Sequence, residues 1–121
     1  DYLRYRGPAE PDDIHAIYQA ADAFLFASSC ENLPNILIEA MSSSLPIASS
    51  KAGPMPEVLK DAGLYFDPRD VADIARAMGE LVADPDLRRR LAERAFRLAR
   101  GYSWERCARS TFDFIAGPAA E

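Results

Sequence analysis

The stretch Asp22-Ala23-Phe24-Leu25-Phe26-Ala27-Ser28-Ser29-Cys30-Glu31-Asn32-Leu33-Pro34-Asn35-Ile36-Leu37-Ile38-Glu39-Ala40-Met41 decides the fold. Its opening apolar run, residues 23–27, reads as a strand buried on both faces. Residues 28–32 form a loop. Pro34 then fits the first turn of a helix, where its missing N–H would have no partner anyway. That helix carries Ile36, Leu37, Ala40 and Met41 and fades in Ser42, Ser43 and Ser44. A second strand is expected at residues 46–49. Strand, helix and strand in this order make the repeating unit of a parallel sheet covered by helices.

The same alternation extends in both directions. Upstream, residues 2–6 read as a strand ending at Gly7-Pro8, after which Asp12 or Asp13 caps a helix with Ile14, Ile17, Tyr18 and Ala21 on one face. Downstream come a turn at Ala52-Gly53-Pro54, a short helix over residues 56–61 and a strand at residues 64–66. The remainder is helical. Asp70 caps a helix whose stripe is Val71, Ile74, Ala75, Met78, Leu81 and Val82. Asp84-Pro85 opens another, in which Leu87, Leu91, Ala95 and Leu98 share a face. A third begins at Ser103 and is expected to bury Trp104, Cys107, Ala108, Thr111, Phe112 and Ile115, with Tyr102 also in the core. Only residues 116–121 look frayed.

The expected fold is therefore α/β: a Rossmann-like parallel sheet of about four strands followed by C-terminal helices. A doubly wound sheet is built around a first strand with a Gly-rich phosphate turn, and none follows the opening strand here. The numbering is accordingly expected to start in mid-domain, with the missing segment N-terminal and residues 1–121 forming a single partial domain.

Composition narrows the function. The 121 residues, 49% apolar and 27% charged, suit one globular core. A pI near 4.9 argues against binding a nucleic-acid backbone. No apolar run is long enough to span a bilayer, and residues 1–6 show no signal peptide. Cys30 and Cys107 match no metal spacing and read as reduced and buried, in a cytoplasmic compartment. Charge is unevenly spread: residues 1–86 hold 6 basic and 15 acidic side chains, while residues 87–112 hold 8 arginines against Glu93 and Glu105. Two readings apply to Arg88, Arg89, Arg90, Arg94, Arg97 and Arg100. They could touch anionic lipid headgroups at the inner face of a membrane. They could equally form a solvated face, which is favoured because Leu87, Leu91 and Leu98 already have a core to cover.

Glu39 is the only charged side chain among residues 32–50, and apolar neighbours surround it. A lone buried carboxylate is costly unless something pairs with it. It is either bonded to a backbone N–H or an Arg in the core, or it is a hydroxyl acceptor facing a pocket. Glu31 lies eight residues earlier, in a strand-to-helix loop of the kind that binds ligands in parallel α/β sheets. Between the two glutamates lies a helix N-terminus, whose free N–H groups sit at the positive end of the dipole. Carboxylate, amide donors, carboxylate is an order that suits a ligand with hydroxyls at both ends and a diphosphate between. Elsewhere the readings are plain: His15 is an exposed helix residue, and Glu57 caps or charges the first turn of its helix.

The stretch from Ser28 to Met41, followed by Leu45-Pro46-Ile47-Ala48-Ser49, Gly53-Pro54-Met55-Pro56-Glu57-Val58 and Ala62-Gly63-Leu64-Tyr65-Phe66-Asp67-Pro68, resembles the retaining GT-B glycosyltransferases of family 4. The likeness runs from residue 7 to residue 115 and includes Tyr102-Ser103-Trp104. It implies a polysaccharide-building enzyme that moves a hexose from a nucleoside-diphosphate sugar to an acceptor hydroxyl with retention, this chain supplying the donor pocket. It also implies that Glu31 is the catalytic carboxylate, contacting donor-sugar hydroxyls and stabilising the sugar's positive charge. Glu39 would accept hydrogen bonds from the ribose. The main chain of Asn32, Leu33, Pro34, Asn35 and Ile36 would lie along sugar and diphosphate, and Gly7 and Pro8 would wall the base. No metal or other cofactor is implied.

Some features depart from the family pattern. Asn32 and Pro34 stand where Gly is frequent, and Ser44 replaces a Gly before the next strand, so a looser turn is expected there. Pro54 removes one backbone donor near the phosphate. The basic diphosphate clamp and the N-terminal acceptor domain are expected upstream of Asp1. The chain alone is therefore expected to bind nucleotide sugar weakly and transfer nothing, and its bare sheet edge to pair with another copy. The partners expected are the donor and that acceptor domain, and no nucleic acid. A non-catalytic nucleotide-binding module and a nucleotide-sugar epimerase of similar architecture are the alternatives.

Overall fold

A computed structural model describes residues 2–117 of the chain. A short 3₁₀ turn at Pro11–Asp13 leads into α1 (Ile14–Gln19). Then β1 (Phe24–Phe26), α2 (Asn35–Ser42), β2 (Ile47–Ser50), α3 (Met55–Leu59) and β3 (Gly63–Phe66) alternate, and α4 (Val71–Ala83), α5 (Pro85–Ala99) and α6 (Trp104–Ala116) follow. The strands are parallel in the order β1-β2-β3, with Phe24 opposite Ile47 and Ile47 opposite Gly63.

Central β2 is buried along its length, and its alternating side chains feed two cores. Ile47 packs with Phe26, Leu37, Met41, Met55 and Leu59 on one face of the sheet. Ala48 packs with Phe66, Ala77, Leu81 and Leu91 on the other. Leu37, Ala40 and Met41 form the buried stripe of α2. Small Ala95 and Ala99 let α5 join the first core, while its Leu91 joins the second.

Three helices start on side-chain caps read from the sequence. Asp70 accepts from the amides of Ala72 and Asp73, Asp84 from Leu87, and Ser103 from Arg106. Arg88 donates to the carbonyls of Leu81 and Val82 at the end of α4. Arg89 pairs with Asp86, Arg94 with Asp61 and Arg97 with Glu93, all exposed pairs worth little stability each. The arginine face is thus largely engaged with the protein itself.

Several expectations are corrected. Residues 2–6 form no strand, so among the described residues the sheet has three strands rather than four. Tyr2, Leu3 and Tyr5 have strand propensity, but propensity alone makes no strand: these side chains are exposed, and no strand among the described residues pairs with residues 2–6. As an edge strand, β1 is shorter than residues 23–27 and buries one face, with Leu25 40% exposed. In α4, Met78 and Val82 overhang this free edge and with Phe24 and Leu25 line an open apolar groove of about 380 Å³; Val71 and Ala75 are exposed as well. In α1, Ile17 is exposed and Asp13 makes no side-chain cap. Nothing on α6 is buried: Trp104, Phe112 and Ile115 are each more than 70% exposed, because no described element covers the apolar face. Cys30, in a loop, and Cys107, on α6, are free but exposed rather than buried. Tyr102 is 39% exposed, its hydroxyl donating to the carbonyl of Val58. Residues 118–121 of the expected frayed end lie outside the described residues.

The turn at Ser44 is not loose. The amide of Leu45 donates to the Ala40 carbonyl at 3.2 Å and that of Ser44 to Met41 at 3.1 Å, a Schellman closure with Ser44 in the left-handed region at φ 57°. Lys60, with φ 51° and ψ −123°, is the first central residue of a type II′ turn closed by the Ala62 amide on the Leu59 carbonyl. Both conformations suit glycine. Ser44→Gly and Lys60→Gly are each expected to stabilise the protein by about 1 kcal/mol. Urea unfolding should show a raised midpoint at unchanged slope, and an unmoved or lowered midpoint would contradict this.

Candidate functional site

Three loops leave the carboxyl ends of the parallel strands: residues 27–34, 51–54 and 67–70. Glu31 lies half-buried in the first. Gly53, in the second, has φ +56°, and a Cβ there would lie 4.0 Å from the Glu31 amide nitrogen and carbonyl oxygen. The second loop therefore rests on the backbone that carries Glu31, in a conformation that a side chain would strain. Buried Ser50 holds the start of that loop by accepting from the Ala52 amide at 3.0 Å.

The third loop is pinned by charge. Lys51 pairs with Asp67 at 3.4 Å, and the Asp67 amide donates to Asp73 at 2.8 Å. Arg76 donates to Asp73, Glu80 and the carbonyl of Tyr65. The Arg69 amide, with Lys51 beside it, holds the Asp67 carboxyl below the usual range, and the Asp67 amide, helped by Arg76, does the same for Asp73.

At the tip of α2, the Pro34 carbonyl accepts from the amides of Leu37 and Ile38, and the Asn35 amide donates to the Leu33 carbonyl. The amides of Asn32, Leu33 and Ile36 have no partner among the described residues. The tip thus keeps free donors at the positive end of an eight-residue helix.

Glu39 is exposed, which corrects the expectation of a carboxylate walled in on most sides. The buried stripe of α2 takes Leu37, Ala40 and Met41, so Ile36 and Glu39, one turn apart, face outward. Its partner is a hydroxyl rather than a backbone N–H or an Arg: Tyr18 donates to Glu39 Oε2 at 3.1 Å, with the Ile36 carbonyl 3.4 Å from the same hydroxyl. Burial first, then the hydrogen bond to Glu39 and its charge, push the Tyr18 hydroxyl up to about 12.

A cavity of about 430 Å³ opens here. Leu33, Asn35, Ile38 and Glu39 line one side, and Tyr102, Ser103, Trp104 and Cys107 the other. The structure therefore brings Glu39 together with the tip residues Leu33 and Asn35, whereas Glu31 is not among the residues lining that cavity. Gly7 and Pro8 sit in an exposed segment outside any helix or strand, Gly7 with φ +79°, and nothing lies within 4 Å of where a Gly7 Cβ would be. His15 is exposed and bonds to Gln19. Glu57 lies in the first turn of α3. Among the described residues no three His, Cys, Asp or Glu side chains gather in a metal-holding group.

Sequence reasoning placed Tyr18 on an apolar helix face and missed its hydroxyl. The available signal was the isolation of Glu39, which demanded a donor, together with a hydroxyl on the buried face of the preceding helix.

Residues 2–98 match the sequence model of the family described as "Glycosyl transferases group 1". The chain is 33% identical over 112 residues to "O-antigen chain mannosyltransferase B" of Escherichia coli, covering 93% of this chain and 29% of that protein. It is likewise 33% identical over 113 residues to "D-inositol 3-phosphate glycosyltransferase" of Corynebacterium kroppenstedtii, covering 92% of this chain and 25% of that protein. The solved structure of sucrose-phosphate synthase from Thermosynechococcus elongatus superposes with a TM-score of 0.74 at 25% identity, over 83% of this chain and 26% of that one. The chain thus spans between a quarter and three tenths of the length of these proteins.

Proposed function

Because the chain belongs to the group 1 glycosyl transferases, we propose that it is the donor-binding part of a retaining enzyme that moves a hexose from a nucleoside-diphosphate sugar to an acceptor hydroxyl. The observation that supports this most is the tip of α2, where unpartnered amides lie between the Glu31 loop and an outward-facing Glu39. Breaking the anomeric bond sends its electron pair to the diphosphate and leaves positive charge on the sugar ring. The helix tip answers the first charge and Glu31 the second, a task that fixed protein dipoles perform without a metal. Glu39 takes the ribose hydroxyls. We place this work in polysaccharide building at the cytoplasmic side. As a separate observation, no helix among the described residues is long and apolar enough to cross a membrane.

Glu39→Ala in the full-length protein is expected to weaken donor binding about 10- to 100-fold, the effect of losing hydrogen bonds to a charged acceptor. Calorimetry with the nucleotide sugar checks it, and unchanged affinity would contradict the proposed ribose contact.

A further inference from the structure

We propose that Tyr18 is a positioning residue for the donor pocket: from α1 its hydroxyl fixes Oε2 of Glu39, leaving Oε1 to meet the ribose hydroxyls. This rests on the donor reading above and adds a residue to it. The Tyr18 ring is buried and meets Phe24 edge-on with centroids 5.8 Å apart, so the hydroxyl has a fixed origin. It carries one proton and two acceptors in reach, Glu39 Oε2 at 3.1 Å and the Ile36 carbonyl at 3.4 Å. The charged and closer acceptor is the stronger one. The group stays protonated at neutral pH, being pushed up to about 12.

The positioning matters because Glu39 is exposed. An exposed glutamate samples many rotamers, and a ligand that needs one of them must first order the side chain. Tyr18 orders it beforehand. The same hydroxyl lies beside the Ile36 carbonyl, in the first turn of α2, so it also ties the carboxylate to the tip that offers the free amides.

The test uses the full-length protein and the tightest binder among UDP, GDP and ADP, together with its 2′,3′-dideoxy counterpart, by calorimetry. Tyr18→Phe keeps the ring in the core and removes only the donor. It should raise Kd for the ribonucleotide about 5- to 10-fold, leave the dideoxy nucleotide within twofold, and have no further effect in a Glu39→Ala background. Equal weakening of both nucleotides would mean that Tyr18 acts only through packing, and would overturn the proposal. So would an unchanged Tyr18→Phe protein beside a weakened Glu39→Ala protein, a result that leaves the donor reading standing. If Glu39→Ala binds as wild type does, or no nucleotide binds, the donor reading itself falls and this proposal with it.

Discussion

Glu31→Ala in the full-length protein is expected to lower kcat about 10²- to 10³-fold while donor KM moves less than about threefold. The asymmetry follows from when the charge exists. In the ground state the sugar ring is neutral, and a carboxylate beside it contributes little beyond hydroxyl contacts. On the role proposed for Glu31, the ring becomes cationic as the anomeric bond breaks and the carboxylate stabilises it, so its removal would be felt mainly in the transition state. Glu39, proposed to meet ribose alike in both states, should show the reverse split. Steady-state kinetics with varied donor separates the two. Equal losses in kcat and in binding for both variants would contradict the assignment of roles.

Gly63→Ala is expected to produce the largest loss of stability, about 3 kcal/mol. A Cβ at Gly63 would collide with the Leu59 side chain and lie 2.8 Å from the Ile47 carbonyl oxygen. Leu59 has a flexible end, but both it and Ile47 are fully buried, and Ile47 sits in the central strand with Phe24 and Gly63 opposite it on either side. Moving that backbone disturbs both ladders. Alanine gains less than about 1 kcal/mol by restricting the unfolded chain, so the collision wins. Urea unfolding should show a clearly lowered midpoint, and a midpoint equal to wild type would contradict the packing described.

What the sequence made legible is the part set by local chemistry. Leu37, Ala40 and Met41 recur at helical spacing and are the buried stripe of α2, and β2 follows where expected. Asp70, Asp84 and Ser103 cap the helices they precede. What stayed hidden depends on distant neighbours. Periodicity says that Met78, Val82, Trp104 and Phe112 share apolar faces, but not whether anything covers them, and here they are exposed. Residues 2–6 read as a strand in the sequence, yet a strand exists only through its partner. The left-handed backbone at Ser44 and Lys60 was hidden because neither side chain announces it.

The candidate site divides along the same line. Glu31, Glu39 and the tip of α2 stand out from spacing and from the isolation of one carboxylate. The outward aim of Glu39 and its bond to Tyr18, 21 residues away, belong to tertiary structure. So does the approach of Gly53 to the Glu31 backbone, which joins two loops that the sequence presents separately.

The most direct measurement is a crystal structure of the full-length protein with an intact nucleoside-diphosphate hexose bound. The ribose hydroxyls are expected within hydrogen-bond distance of Glu39, the diphosphate on the free amides of residues 32, 33 and 36, and the hexose hydroxyls reaching Glu31. A diphosphate seated away from the tip of α2, with Glu31 and Glu39 both in contact with solvent alone, would contradict this arrangement.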